Sequence, residues 1–364
     1  MNKSYRLIWN ELTQTWVAVA EIARARGKRA AAAVLLAASG LALAAPPAAN
    51  QLPTGGQIVG GSAAGAIASS GSAMTVTQNT QRMIANWNSF NIGANASVQF
   101  VQPSASAIAL NRVLGQDPTQ ILGSLSANGQ VMLVNPAGIV FGQSSQVNVG
   151  ALVASSLALS DANFTTGNYS FARAADGLAG SVMNQGRITT PTGGVVALIA
   201  PVVRNSGQIE TPQGGTLLAA ADQVTLDFTG DGLITYSMAA GAANALVDNS
   251  GSISAEGGIA VLSARSADAV TRSVVNNSGV VRASSLSAKG GRIVLEGDAI
   301  TLTSGSTLEA TGASGGGTVL VGGDWQGSGG LHQATTVTME AGASIDASAT
   351  QSGDGGKVVL WSDT

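Results

Sequence analysis

The chain has 364 residues and a net charge of −3, and only 10% of its residues are charged, against roughly 25% in an ordinary soluble domain. It contains no cysteine and one histidine, His332, so it offers little acid, base or thiolate chemistry; we predict no cofactor and no metal site. With only 17 Lys and Arg residues and no basic patch, we also expect no nucleic-acid partner.

The first 44 residues have the pattern of a secretory signal peptide. Lys28 and Arg29 precede the apolar run AAAAVLLAASGLALAA (30–45), which contains a small-x-small triplet at 42–44. We expect a helical signal segment that is cleaved after Ala44, because cleavage one residue later would place Pro46 first. A membrane anchor is the alternative, but the run is interrupted by Gly40 and falls short of the roughly 20 residues that span a bilayer.

A further segment, MNKSYRLIWNELTQTWVAVAEIARARGKR (1–29), lies ahead of this apolar run. It is charged and aromatic, and it resembles the extended signal peptide region of very large Gram-negative exported proteins. This resemblance implies export through the inner-membrane general export machinery into the periplasm. The absence of cysteine fits a chain that threads a pore unfolded and forms no disulfides on the way.

Beyond residue 50 the pattern is one of short strands and turns. Asn-(Ser/Gln)-Gly turns recur at Asn184, Asn205, Asn249 and Asn277, and Gly-Gly pairs that precede apolar strands begin at residues 193, 214, 257, 290, 316 and 355. A turn and a strand every 20 to 30 residues indicate a solenoid. The longest gap, between Asn205 and Asn249, is interpreted as two coils with TGDG (229–232) as a degenerate turn between them.

These repeats predict an all-β fold, a right-handed parallel β-helix, behind the helical signal segment. Stacked coils bury apolar residues that a single coil cannot hide, and each strand pairs with the next coil. Asn side chains at equivalent corners are expected to form a hydrogen-bonded ladder. The competing architecture is a β-sandwich, in which hairpins link the strands and no common repeat is needed.

The last residues, GGKVVLWSDT, follow the repeat pattern without a polar or helical cap. Solenoid ends normally need such a cap to protect the exposed edge. We therefore expect either a truncated chain or the beginning of a much longer fibre.

Several separate motifs fall within residues 81–157. They are Trp87 with SFNIG (89–93), VQFVQPS (98–104), LNRV (110–113), ANGQVMLVNPAGIVFG (127–142) and ALVASSL (151–157). Together, and in this order, they resemble the secretion domain of the filamentous haemagglutinin family, the exported partner in two-partner secretion. The resemblance implies a secretion domain over residues 45–183, followed by β-helix repeat coils over 184–364.

The turn in VMLVNPAGIVFG (131–142) is the candidate site. Asn135, Pro136 and Gly138 occupy the first, second and fourth positions of a type I turn, in which Pro fixes φ and Asn caps the backbone. On spacing alone this is a solenoid corner. The resemblance implies more, because the family's Asn-Pro-Asn-Gly-Ile motif is linked to secretion. Asn135, Pro136, Gly138 and Ile139 match that motif, Ala137 departs from it, and the family's Asn-Pro-Asn-Leu motif is absent.

Four other residues in the matched motifs are expected to support the domain structurally: Trp87, Phe90, Asn111 and Arg112. The resemblance also implies the route of export. An outer-membrane transporter, a barrel with POTRA domains, would pass the chain to the cell surface or the medium, where it would form the base of an adhesin-like fibre. A host-cell or surface glycan receptor is a further partner that such a fibre admits.

A secreted β-helix enzyme acting on polysaccharide is the alternative function. Such enzymes need clustered carboxylates on one groove face, whereas here the acids are scattered along the sequence. They are Asp117, Asp161, Asp176, Glu210, Asp222, Asp227, Asp231 and Asp248.

Three further local features resemble binding sites only weakly. Asp227 and Asp231 flank a Gly-containing turn but lack a calcium loop's alternating ligands, so a solvated turn is favoured. His332 has no second His or Cys beside it, and GGDWQGSGG (322–330) lacks the lysine and helix of a nucleotide loop. We therefore predict that the chain is not an enzyme.

Overall fold

The computed structural model describes residues 5–10, 15–20, 45–61, 65–228, 235–267 and 271–363. The chain divides into two compact units, residues 1–43 and 44–364. Strands are numbered β1–β35 along the chain. No helix among the described residues is long and apolar enough to cross a membrane.

The first unit contains two antiparallel strands, β1 (Tyr5–Asn10) and β2 (Thr15–Ala20), with Trp9 opposite Trp16. The expected helical signal segment is therefore wrong for these residues. Aromatic and β-branched residues, which favour strands over helices, make up three of the six residues of β1 and four of the six of β2. The rest of the predicted signal peptide, including its cleavage after Ala44, lies outside the described residues.

The second unit is a stack of coils built from three long sheets. Sheet A consists of β3 (Gln57–Gly60), β6 (Arg82–Trp87), β8 (Ile108–Val113), β11 (Gln130–Val134), β14 (Ala151–Ser155), β18 (Val195–Ala200), β21 (Gly215–Ala220), β26 (Ile259–Ala264), β29 (Arg292–Glu296), β32 (Thr318–Val321) and β35 (Lys357–Leu360), in that order. Sheet B consists of β9 (Thr119–Ile121), β12 (Ile139–Phe141), β16 (Val182–Asn184), β19 (Val202–Asn205), β24 (Leu246–Asn249), β27 (Val274–Asn277), β30 (Ala299–Leu302) and β33 (Thr336–Met339).

Sheet C completes the coils and consists of β4 (Gly65–Ser70), β5 (Ala73–Gln78), β7 (Ser97–Val101), β10 (Ser124–Ala127), β13 (Gln146–Asn148), β17 (Arg187–Thr189), β20 (Gln208–Glu210), β25 (Ser252–Ser254), β28 (Val280–Arg282), β31 (Thr307–Glu309) and β34 (Ser344–Asp346). Consecutive strands pass from sheet to sheet, so that β18, β19 and β20 lie in sheets A, B and C, and β21 returns to pair with β18 in parallel. The antiparallel pairs in these sheets are β3 with β6 and β4 with β5. The predicted parallel β-helix is confirmed and the β-sandwich alternative is wrong; the right-handed sense stays a prediction.

The Asn turns stack in the predicted ladder. The side-chain Nδ2 of Asn184 donates to Oδ1 of Asn205 at 2.8 Å, Asn205 donates to Asn249 at 2.8 Å, and Asn249 donates to Asn277 at 2.7 Å. All four side chains are buried, so each rung pairs polar groups that water cannot reach.

The glycine of each of these turns is fixed by close stacking of the coils. A Cβ on Gly207 would lie 2.1 Å from the carbonyl oxygen of Gly186, and one on Gly251 would lie 2.1 Å from that of Gly207. The same distance separates a Cβ on Gly279 from the oxygen of Gly251. A side chain does not fit at these positions, which explains the constant third residue of the turn.

The interval between Asn205 and Asn249 is one coil with an insertion, so its interpretation as two coils is wrong. Strand β19 pairs directly with β24, and the residues between them include β21 and a hairpin of β22 (Gln223–Asp227) and β23 (Thr235–Ala240). This hairpin pairs antiparallel with β15 (Tyr169–Ala172) to form the outer sheet. The predicted degenerate turn, 229–232, lies outside the described residues.

The outer sheet and a short helix, α1 (Asp161–Thr166), give sheet A a second core. In β18, Val196, Leu198 and Ala200 face the interior of the coils, whereas Val195, Ala197 and Ile199 belong to an outer cluster with Phe164, Phe171 and Leu226. Where both faces of sheet A are covered in this way, its strands are continuous apolar runs, such as VVALIA in β18. Sheets A, B and C run on across residue 183, and the division proposed there stays a prediction.

Candidate secretion site at the Asn135 turn

Asn135 closes a turn between β11 and β12. The backbone N–H of Gly138 donates to the Asn135 carbonyl oxygen at 2.9 Å, and the N–H of Ala137 donates to the Asn135 side-chain Oδ1 at 3.0 Å. These are the bonds expected of a turn with Asn at its first position and Gly at its fourth. Gly138 has a φ of +114°, which an L side chain rarely adopts.

The Asn135 side chain also ties the turn to the preceding coil. Its Nδ2 donates to the carbonyl oxygen of Asp117 at 3.0 Å and to the hydroxyl of Thr119 at 2.9 Å. Its backbone N–H donates to Ser155 in the following coil at 3.0 Å. One fully buried residue thus connects three consecutive coils.

The far side of the turn rests against residues 180–181. The N–H of Gly180 donates to the Pro136 oxygen at 2.7 Å, and the N–H of Ile139 donates to the Ser181 oxygen at 3.0 Å. Ile139 is fully buried, and Pro136 and Ala137 are half-buried. In the folded chain, therefore, the groups that define the motif already form hydrogen bonds inside the solenoid. Little of the turn is exposed to solvent, where a partner could bind it.

Trp87 and Phe90 anchor the coil that begins at β6. Their rings meet edge to face with centroids 5.1 Å apart, and both are fully buried. The Trp87 indole N–H donates to Oδ1 of Asn111 at 3.0 Å. Asn111 Nδ2 in turn donates to the backbone oxygens of Ala109 and Met132, at 3.3 and 3.4 Å, so its amide links neighbouring strands of sheet A.

Arg112 points to the other face of sheet A. Its guanidinium donates to the backbone oxygen of Leu159 at 2.9 Å and forms an ion pair with Asp161 at 2.6 Å. Leu159 lies just before α1, and Asp161 is the first residue of α1. Arg112 therefore connects sheet A to the outer layer.

Among the described residues, the scattered acids form no cluster that could hold a metal ion. Asp161, Glu210 and Asp222 form ion pairs with Arg112, Arg187 and Arg173 respectively. Burial raises the pKa of Asp248, and the nearby charge of Arg204 lowers it by a smaller amount. Asp231 lies outside the described residues.

One group of titratable side chains is brought together by the fold and is not apparent from the sequence. His332 Nε2 lies 2.7 Å from Oδ1 of Asp298, and its backbone N–H donates to the buried Glu296 at 3.1 Å. Sequence alone shows His332 as isolated, because its partners are more than 30 positions away and only the stacking of β29 under β32 brings them together. The signal that could have found them is the register of the repeat, which places Glu296 at the end of a sheet A strand.

Comparison with known proteins places these features in a family context. Residues 49–310 match the family model of the TPS secretion domain, and residues 1–50 match that of the extended signal peptide of the type V secretion system. The chain is 31% identical to the HMW1 secretion domain of Haemophilus influenzae, whose crystal structure superposes with a TM-score of 0.68 over 82% of this chain and 84% of that one.

Two curated relatives have similar sequences. A heme/hemopexin-binding protein of Haemophilus influenzae is 33% identical over 267 residues, which is 72% of this chain and 29% of the relative. Another protein of that name from the same species is 39% identical over 100 residues, 28% of this chain and 11% of the relative. The chain thus spans less than a third of the length of the curated relatives it matches.

Proposed function

This chain belongs to the TPS secretion domain family, and we propose that residues 45–183 direct its passage through a cognate outer-membrane transporter, a barrel with POTRA domains. With an extended signal peptide ahead of the secretion domain, the chain is exported across the cell envelope to the cell surface or the medium. The inner-membrane general export machinery would carry it into the periplasm, and the signal peptide would be cleaved after Ala44.

The burial of Asn135 is the observation that carries the role assigned to the turn. Its side chain and main chain bond Asp117, Thr119 and Ser155, so a partner has no access to it once the coils have formed. Recognition of the motif by a transporter must then precede folding. In the extended chain, the strands on either side of the turn can add to a sheet edge of a POTRA domain, with main-chain hydrogen bonds supplying most of the affinity.

The same turn would also contribute to folding of the chain outside the cell. Because Asn135 joins three coils, its hydrogen bonds are completed only when the coils before and after it are in place. Each added coil buries apolar surface and pairs a strand without closing a long loop. Stepwise folding outside would therefore bias transit outward without ATP, and residues 184–364 would continue the solenoid as the base of an adhesin-like fibre.

Secretion of turn variants tests this role. In a strain carrying the transporter, Asn135→Ala combined with Gly138→Val should leave the chain in the periplasm. The change removes motif residues that the transporter would recognise before folding, and it removes the Asn135 side-chain bonds and strains the positive φ at position 138 when the turn folds. Gly305→Val is the matched control: it places a branched residue at a φ of +86° in a later turn with open space around it. We expect the control to reach the medium. Normal secretion of the double variant would contradict the proposed role.

A further inference from the structure

A cavity of about 300 Å³ opens on the outer face of sheet A, where the cover provided by the outer sheet ends. Its lining includes Tyr236 and Met238 of β23 together with Leu331 and His332. Ser263 of β26 and Glu296 of β29 also line it. No residue of the Asn135 turn contributes to this cavity, so it is separate from the proposed secretion site.

Glu296 is held in a fixed orientation within the cavity. It is 7% exposed, and its Oε2 accepts the hydroxyl of Ser263 at 3.0 Å and the hydroxyl of Tyr236. Burial, followed by the charge of Glu296, raises the pKa of Tyr236, which keeps that hydroxyl protonated as a donor. Oε1 accepts the N–H of His332, and a carboxylate oxygen with one such bond can accept another.

Arg265 and His332 complete the polar lining. Arg265 is exposed and uses one nitrogen to donate to the Met238 carbonyl oxygen at 3.0 Å, which leaves further N–H donors on its guanidinium. His332 faces the ionised Asp298 with Nε2, and a carboxylate only accepts, so Nε2 carries the proton. In the neutral ring, Nδ1 is then an acceptor.

The charges around the cavity balance. Among the residues that line it, the carboxylate of Glu296 is offset by the guanidinium of Arg265. A net charge on the ligand would therefore gain little. The lining combines hydrogen-bond donors and acceptors with the apolar side chains of Met238 and Leu331. The cavity volume lies at the small end of the range for small-molecule binding sites.

We propose that this cavity binds a neutral monosaccharide unit of a surface glycan. Glu296 accepts and Arg265 donates hydrogen bonds to ring hydroxyls, while Met238 and Leu331 contact the C–H face of the sugar. An extended peptide would bind by adding a strand to the edge strand β23. This is disfavoured, because the carbonyl oxygen of Met238 on that strand already accepts a hydrogen bond from Arg265. Binding at this cavity goes beyond the secretion role and does not depend on it.

Saturation-transfer NMR on the purified, refolded full chain tests the proposal, with methyl glycosides of glucose, galactose, mannose, fucose and N-acetylglucosamine as probes. At least one glycoside should bind saturably. Arg265→Ala should weaken that binding at least about tenfold, the usual scale for losing a hydrogen bond to a charged group. Arg282→Ala is the matched control, an exposed arginine paired with Glu309 outside the cavity, and should leave binding unchanged.

Glu296→Gln, checked for folding by circular dichroism, should also weaken binding at least about tenfold. The proposal fails if none of the probes binds at about 20 mM, well above the millimolar affinity expected of one sugar ring. Equal binding by the Arg265→Ala and Arg282→Ala variants would also overturn it. So would competition for the cavity by an extended peptide but by no glycoside.

Discussion

The indole N–H of Trp87 donates to Oδ1 of Asn111 at 3.0 Å inside the solenoid, where neither side chain is exposed. The bond joins β6 to β8, neighbouring strands of sheet A. Asn111→Leu keeps the size of the side chain but leaves a buried donor without its partner. We expect it to lower the free energy of unfolding by about 1–3 kcal/mol, measured by urea titration with circular dichroism.

A double-mutant cycle separates this bond from general packing effects. If the bond contributes, the losses in Trp87→Phe and Asn111→Leu will not add in the double variant, with a coupling of at least about 0.5 kcal/mol. Strictly additive losses would show that the contact between these two side chains does not stabilise the coil.

The Asn ladder predicts coupling between adjacent rungs. Asn205 and Asn249 share one hydrogen bond, so removing both amides should cost less than the sum of the single Asn→Ala changes. Asn184 and Asn277 share none, and their losses should add within about 0.5 kcal/mol. Urea titrations of the four single and two double variants measure both values. Equal coupling in the two pairs would argue against a ladder.

The stacked glycines predict a steep local cost for a single methyl group. A Cβ at Gly251 would lie 2.1 Å from the Gly207 carbonyl oxygen, so Gly251→Ala must force neighbouring coils apart. We expect a loss of about 1–3 kcal/mol in the free energy of unfolding, the usual cost of overpacking. Gly355→Ala, where nothing lies within 4 Å, is the control and should be close to neutral in the same thermal or urea titration.

Asp298 predicts a loss of stability at low pH. Partial burial opposes its ionisation, but hydrogen bonds from Ser273, Ser266 and His332 outweigh that effect and lower its pKa from 3.8 to about 2. Since folding favours the ionised form, this stabilisation is complete above the unfolded pKa and is lost as the pH falls through about 2.

Comparison with Asp298→Asn measures this contribution. The wild-type chain should be more stable than the variant at neutral pH, and the difference should shrink as the pH falls from about 4 to 2. Urea titrations at a series of pH values provide the free energies. A difference that does not change over this range would mean that Asp298 is not stabilised by its hydrogen bonds.

Local sequence was enough to predict the corners of the fold. Asn184 and Asn277 mark their turns because a buried amide and a closely stacked glycine restrict the residue type at each position. The Asn135 turn follows from the same kind of local constraint. Such features depend on residues within a few positions of one another, so the sequence alone predicts them.

Features that depend on pairing between residues far apart in sequence could not be predicted from local sequence. Residues 223–227 and 235–240 have the alternation of ordinary coil strands, and only their antiparallel pairing with Tyr169–Ala172 places them in the outer sheet. For the same reason, the sequence alone does not show the partners of His332. Asp298 and Glu296 lie beside it only because of the register of the stacked coils. Hydrophobic periodicity reports burial but does not distinguish a coil from an insertion.

Export of the chain with and without its transporter tests the central claim most directly. The full chain is expressed in a Gram-negative host with the proposed POTRA-barrel transporter, with that barrel deleted, or with an unrelated barrel, and the culture medium, cell surface and periplasm are assayed. We expect the chain in the medium or on the surface only when the cognate barrel is present, and in the periplasm otherwise. Equal export in all three strains would contradict the account.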